Sequence, residues 1–289
     1  MRRSSNLRRA LRILVRSPQA LAGLVIIVAV VVAAALAPQL APHDPINDQV
    51  LANRFLPPAW QQGGNPAFPL GTDQLGRDIL SRIIFGARIS LMVGLLSVLI
   101  SGVLGTVAGL LGGFYGGWLD NVLMRLADVQ LAFPYILLAI TVMFVLGPSL
   151  WNIILVLGIT GWVNYARVVR SETLALRDAQ FVEAAHAIGR RPLEIAFRHV
   201  LPNVIPSLIV MATLQVAQVI VVESSLTFLG LGVDPRIPSW GGMLADARQY
   251  INVYWWAATF PGVAIMLTVL GINFVGDWMR DTFDPRLRA

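Results

Sequence analysis

Cysteine is absent from the 289 residues, and so is lysine. Without cysteine there is no disulfide framework, no thiolate metal site and no thiol nucleophile. Without lysine there is no Walker A phosphate loop, no Schiff-base amine and no serine–lysine dyad. Charge is scarce: 13% of residues are charged, about half the share of a soluble domain. His43, His186 and His199 are the only histidines, and none has metal-ligand spacing such as H-E-x-x-H. No G-x-S-x-G motif occurs, and no histidine falls inside a predicted span. An intramembrane hydrolase would need such groups.

What the chain has is apolar surface. Hydrophobic residues make up 56% of it, and the mean hydropathy is +0.68. An ordinary soluble enzyme and a disordered chain are both excluded. All 22 basic residues are arginine, the net charge is +6, and the pI is near 10.6. Basic residues at the edges of apolar runs point to a membrane protein with basic cytoplasmic segments, not to a nucleic-acid binder.

Five windows lack Asp, Glu and Arg: 17–42, 89–119, 129–166, 199–222 and 249–276. A charge at the bilayer centre costs at least about 2.5 kcal/mol, so these windows hold the spans. The window 129–166 is too long for one crossing, and Gly147-Pro148-Ser149 divides it with a strong turn signal. Six spans result, at 20–37, 89–112, 129–147, 150–167, 206–231 and 254–276. The first has the basic start and small residues of a signal peptide. Its apolar stretch of 17 residues, Leu21–Ala37, exceeds the usual limit of about 15 and predicts a retained anchor.

With the N-terminus inside, 16 arginines are cytoplasmic and six are external, which predicts both termini in the cytoplasm. The organisation is then a basic N-terminal segment 1–19, a first span 20–37, an external loop 38–88, a core 89–278 and a tail 279–289. Within the external loop, 73–88 carries Leu75, Ile79, Ile83 and Ala87 at four-residue spacing, predicting an amphipathic helix at the outer interface. Trp118, Trp151, Trp240, Tyr254, Trp255, Trp256 and Trp278 lie near span ends and read as interfacial belts. Gly105, Gly109, Gly113 and Gly117 repeat every four residues, predicting a helix face open to close approach by a neighbour. Residues 112–117 also read as the start of a turn.

The segment 168–203 lies on the predicted cytoplasmic side. Phe181, Ala184, Ala185 and Ile188 form one helical stripe, Gly189 follows, and Pro192 suits the start of a second short helix. A helix–Gly–helix elbow of this kind reads equally as a docking element and as a packed connection. In the spans, Gln215 and Gln218 lie three apart and Asn164 is a weaker case; such amides join helices or line a hydrophilic path. Glu223 reads either as a pathway residue or as a structural carboxylate, and its depth favours the second.

The elbow resembles a known family. Glu183-Ala184-Ala185, then Gly189, then Leu201-Pro202 look like the EAA signature of the membrane subunits of binding-protein-dependent ABC importers. His199 stands where that family usually has an apolar residue, a departure similar to the peptide and nickel branch. The arginine-rich start, GTDQLGRDILSRIIFGARISL at 71–91, ESSLTFLGLG at 223–232 and PSWGGML at 238–244 resemble the second permease subunit of dipeptide and oligopeptide systems. The resemblance implies an all-α integral membrane protein of the type I (MetI-like) permease fold. It implies an elbow that couples to separate ATPase subunits through Glu183, Ala184, Ala185, Gly189, Leu201 and Pro202. Glu183 would accept hydrogen bonds near its helix, the alanines would admit the partner, and Gly189 would make the turn. It further implies a second permease subunit and an extracytoplasmic solute-binding protein. This chain would hold no cofactor, ATP and magnesium being bound by the partners. An ion-gradient transporter is the competing reading; such proteins often carry inverted repeats and midplane charges, whereas here no repeat is seen and only Glu223 reads as a buried charge.

Overall fold

The structure, a computed structural model, describes residues 17–283. The basic segment 1–16 and the end of the tail, 284–289, lie outside the described residues. Every long element is helical. α1 is Pro18–Ala35; Ser17 caps it by accepting from the Ala20 N–H, and Pro18 occupies the first turn, where a missing N–H costs nothing. α1 packs on the last helix, and a Cβ at Gly23 would lie 2.7 Å from the Gly271 carbonyl oxygen.

α2, Ile79–Tyr115, is 37 residues long, about 55 Å at 1.5 Å per residue and well beyond a hydrocarbon core of about 30 Å. Asp78 caps it, accepting from the Ser81 N–H at 2.8 Å. The amphipathic helix expected at 73–88 is therefore not a separate interfacial element. Its first residues form a turn, and the rest is the opening of α2, with Ile79, Arg82 and Ala87 buried.

α3 (Gly117–Leu131) and α4 (Tyr135–Leu146) replace the straight span expected at 129–147. The two are bent by 86°. Pro134 is the cause: it lacks an N–H and disfavours helical geometry at Phe133. After the turn at 147–149 come α5 (Leu150–Thr160) and α6 (Trp162–Arg177), separated at Gly161. α7 (Gln180–Ala187) and α8 (Pro192–Ile195) form the elbow. A π-helical segment, Ala196–Val200, joins it to α9 (Leu201–Phe228). Pro202 explains that segment: a π turn relieves the clash of its ring with the carbonyl four residues back. α10 (Trp240–Ala247) and α11 (Trp256–Phe283) complete the fold. Among the described residues, five stretches are long and apolar enough to cross a membrane, and the bent α3–α4 pair makes up to six.

Three of the four spaced glycines make a close helix contact. A Cβ at Gly105, Gly109 or Gly113 would lie 2.3, 2.4 or 2.9 Å from a backbone oxygen of α6. Gly117 takes no part; with Gly116 it sits at positive φ and turns the chain into α3. The main core lies between α2, α5 and α9. A second cluster joins Leu110 and Phe114 of α2 to the elbow. A third joins Ile79 to Met243 and Trp256 at the opposite end.

That opposite end is an ordered cap. Asp73 accepts from Arg77 Nε at 2.7 Å and also pairs with Arg82 Nη1; Asp246 of α10 accepts from Arg77 at 3.0 Å and Arg82 at 3.1 Å. Trp240 donates to the Ile83 carbonyl and Trp256 to the Thr72 carbonyl. Both indoles are buried, so they fasten the cap and are not part of an interfacial belt. Trp118 and Trp151 are exposed. Arg82 is 1% exposed, and removing one partner of a buried ion pair costs about 3–5 kcal/mol. Arg82→Met is expected to lower the thermal unfolding midpoint in detergent, with the exposed Arg88→Met as the control. Equal midpoints for the two variants would contradict the buried network.

Candidate functional site

Two features stand out, the elbow and a cavity deeper in the bundle. The elbow is held from beneath. Val182 and Ala185 of α7 and Ile195, Ala196 and Val200 beyond it are buried against Leu110, Phe114 and Val169. This differs from the predicted stripe, of which Ala185 alone faces inward. Phe181 is 42% and Ile188 73% exposed; Leu193 and Phe197 are also exposed. The elbow thus has an apolar anchor on one face and an apolar, unpartnered surface on the other.

Gly189 sits at φ +77°, and a Cβ there would meet nothing within 4 Å. Glycine is required by backbone conformation and not by space. The Arg190 N–H bonds the Ala185 carbonyl at 3.2 Å and the Gly189 N–H bonds His186 at 2.9 Å, the Schellman pattern that ends a helix. Glu194 then accepts from Arg190 at 2.6 Å and from Arg198 at 2.8 Å, tying the linker to the π segment. Glu183 lies in the first turn of α7, where a carboxylate suits the helix dipole. It is exposed. Among the described residues its carboxylate accepts no hydrogen bond, so the fixing role implied by the resemblance is not seen within this chain. His186 stacks over Phe114 at 6.2 Å. Leu201 and Pro202 start α9 directly after the π segment.

The cavity, of about 280 Å³, lies where α3 bends into α4, where α5 breaks from α6, and along the middle of α9. Gln215, Gln218 and Asn164, from two spans, all line it, together with Gln130 and Thr160. Gln130 gives no signal in the sequence, because it sits at an apolar window's edge and its partners are distant. Its amide donates to the Thr160 carbonyl and accepts from Trp162 Nε1 at 2.8 Å, bridging the break at Gly161. Two ion pairs, Asp120–Arg170 and Asp128–Arg167, hold α3 to α6 below it.

Glu223, the remaining pathway candidate, does not line this cavity. It is fully buried. It accepts from Thr227 Oγ1 at 2.9 Å, Ser224 at 3.3 Å and Ser90 of α2 at 3.5 Å. Gly241 of α10 closes over the same place; a Cβ there would lie 2.7 Å from Ser224. Glu223 therefore joins α9, α2 and the base of the cap.

The chain is similar to known proteins. Residues 101–289 match the family described as binding-protein-dependent transport system inner membrane component. Residues 5–58 match the N-terminal TM domain of oligopeptide transport permease C. The chain is 45% identical to the dipeptide transport system permease protein DppC of Escherichia coli strain K12, over 94% of this chain and 91% of that one. It is 42% identical to the di/tripeptide transport system permease protein DppC of Pseudomonas aeruginosa, over 93% and 88%. The glutathione transport system permease protein GsiD of Shigella flexneri is 42% identical, over 95% and 88%. A chain of the MetNI methionine ABC transporter, in an inward-facing form, shares the fold with a TM-score of 0.56 and 20% identity, over 70% of this chain and 96% of that one. The ion-gradient reading falls with these matches: the chain belongs to the binding-protein-dependent transport system inner membrane component family, as a non-catalytic permease subunit of an ABC importer.

Proposed function

We propose that this chain is one half of the translocation pathway of a peptide importer of the bacterial cytoplasmic membrane. Its cargo is a di- or oligopeptide or a related small solute such as glutathione or a nickel chelate. The relatives named above carry dipeptides, di- and tripeptides or glutathione, and that supports the cargo class. A second, similar permease subunit closes the pathway. A solute-binding protein delivers cargo to the cap. Two separate ATPase subunits bind ATP and magnesium and drive the cycle.

In this reading the bent α3–α4 pair is one of six spans, both termini are cytoplasmic, and the elbow is the coupling element. The carrying observation is the elbow's two-sidedness. A segment that merely joined two spans would bury its apolar residues or replace them with polar ones. Here one face is locked to α2 and α6 while Phe181, Ile188, Leu193 and Phe197 remain exposed. A force applied to that surface moves the bundle, because the anchor is packed and not loose. Glu183, Ala184 and Gly189 lie on or beside the exposed face, and Ala185, Leu201 and Pro202 set its attachment.

Purification of the assembled complex from the native membrane is the direct test. The expected result is a second permease and ATPase subunits bound in fixed proportion, with cysteines placed at 188 and 193 labelled only from the cytoplasmic side. Recovery of the chain without an ATPase, or labelling from outside, would overturn the reading.

A further inference from the structure

We propose that the cavity at the bend of α3 and α4 is a cargo-contact site that recognises the neutral peptide group by side-chain amides and gives no hold to charge. The inference rests on the pathway reading above and adds the chemistry of the contact. Gln215 carries it. The residue is 7% exposed, lines the cavity and has no hydrogen-bond partner among the described residues. Its amide is not one of the fully enclosed unpaired groups, so it opens to the cavity with its hydrogen-bonding capacity unspent, where a mere packing position would be served by an apolar side chain. Its place is also apt. Counted along α9, Gln215 is about 21 Å from Leu201 at 1.5 Å per residue, and so near the middle of the span.

The neighbouring groups sharpen the point. Gln130 is occupied, bracing the Thr160 carbonyl and the Trp162 indole. Asn164 and Gln218 are exposed into the cavity and, like Gln215, have no partner within the described residues. Each side-chain amide offers two donors and two acceptor sites. One amide can therefore match both the N–H and the C=O of a peptide bond. None of the described residues that line the cavity is an Asp, Glu, Arg or His. A charged cargo group entering it finds dipoles but no counter-charge, and an unpaired charge is costly to desolvate. The wall thus holds what all peptides share and ignores what distinguishes their side chains.

The test uses the complete transporter in proteoliposomes with its binding protein and ATPase subunits. The cargoes are three tripeptides with a neutral, a lysine or a glutamate central residue, each at a concentration that saturates the binding protein. The wild type is expected to move all three at turnover rates within about twofold. Gln215→Glu places a carboxylate in the wall. It is expected to change the lysine-to-glutamate turnover ratio by at least about tenfold, since a single charge pair at reduced dielectric exceeds that factor. Gln218→Glu, at an exposed position that tolerates substitution, is expected to act in the same sense and decides the matter if Gln215→Glu does not assemble. A scaffold role would slow the three cargoes equally. If neither variant alters the ratio, or the wild type already discriminates by charge tenfold, the proposal is wrong. Failure of the coupling reading would appear elsewhere, as normal transport by elbow variants.

Discussion

Gly109→Leu is expected to prevent assembly of the folded permease. A Cβ at this position lies 2.4 Å from the Ala166 carbonyl oxygen, 2.9 Å from Val169 Cβ and 3.0 Å from the Arg170 nitrogen. Two of these three are backbone atoms of α6, which cannot rotate away. In lipid the contact has no hydrophobic drive to fall back on; helix association depends on close van der Waals packing and backbone approach. Overpacking a well-filled core by a few methylenes costs about 1–3 kcal/mol, and Leu here must also push α2 and α6 apart along three glycine steps. The separation carries further, because α6 runs directly into the elbow. Gly102→Ala is the control: its Cβ would meet Tyr165 at an ordinary 3.7 Å. Size-exclusion profiles in detergent and the yield of complex should separate the two. A monodisperse, normally assembled Gly109→Leu variant would contradict the α2–α6 contact.

Gly189→Val is expected to insert and assemble normally, yet to lose cargo-stimulated ATP hydrolysis. Space is not the obstacle, since nothing lies within 4 Å of the added Cβ. The obstacle is φ +77°, a region that costs a β-branched residue about 1–3 kcal/mol. The chain relieves that strain by giving up the Schellman turn and swinging α8 relative to α7. Val182, Ala185, Ile195 and Val200 still anchor each half, so the bundle survives while the exposed surface loses its shape. Gly189→Asn, which tolerates the left-handed region, is expected to retain most of the stimulation. That rescue distinguishes a conformational requirement from a steric one. Glu183→Lys acts from the other side. It puts a positive charge at the start of a helix, where the dipole disfavours it, and reverses the charge of the exposed face. Unchanged stimulation in both Gly189→Val and Glu183→Lys would remove the elbow from the coupling step.

Much of this protein is legible without coordinates because the bilayer imposes a simple rule. Backbone polar groups in lipid must be satisfied within helices, so spans announce themselves as uncharged apolar runs. The turn at 147–149 and the glycine-spaced face of α2 are visible for similarly local reasons. The bend at Pro134 escapes the hydropathy pattern though its signal is present. The apolar window continues through it, and hydropathy has no term for a missing N–H. The cap is hidden for a different reason. Arg77 and Arg82 look solvated in sequence, but the carboxylate they share with Asp73 is Asp246, 164 residues beyond Arg82.

The sequence by itself determined the class of molecule, the number of apolar runs, the elbow and its hinge glycine. These depend on neighbours along the chain and on one solvent rule. Tertiary structure alone decided which elbow face is anchored and which is free, that Glu223 meets Ser90 of α2, and that Gln215, Gln218 and Asn164 meet in one cavity. A helical stripe has the same spacing whether it looks inward or outward, and an amide has the same letter whether it is spent or free. Only the packing of distant helices supplies or withholds its partner.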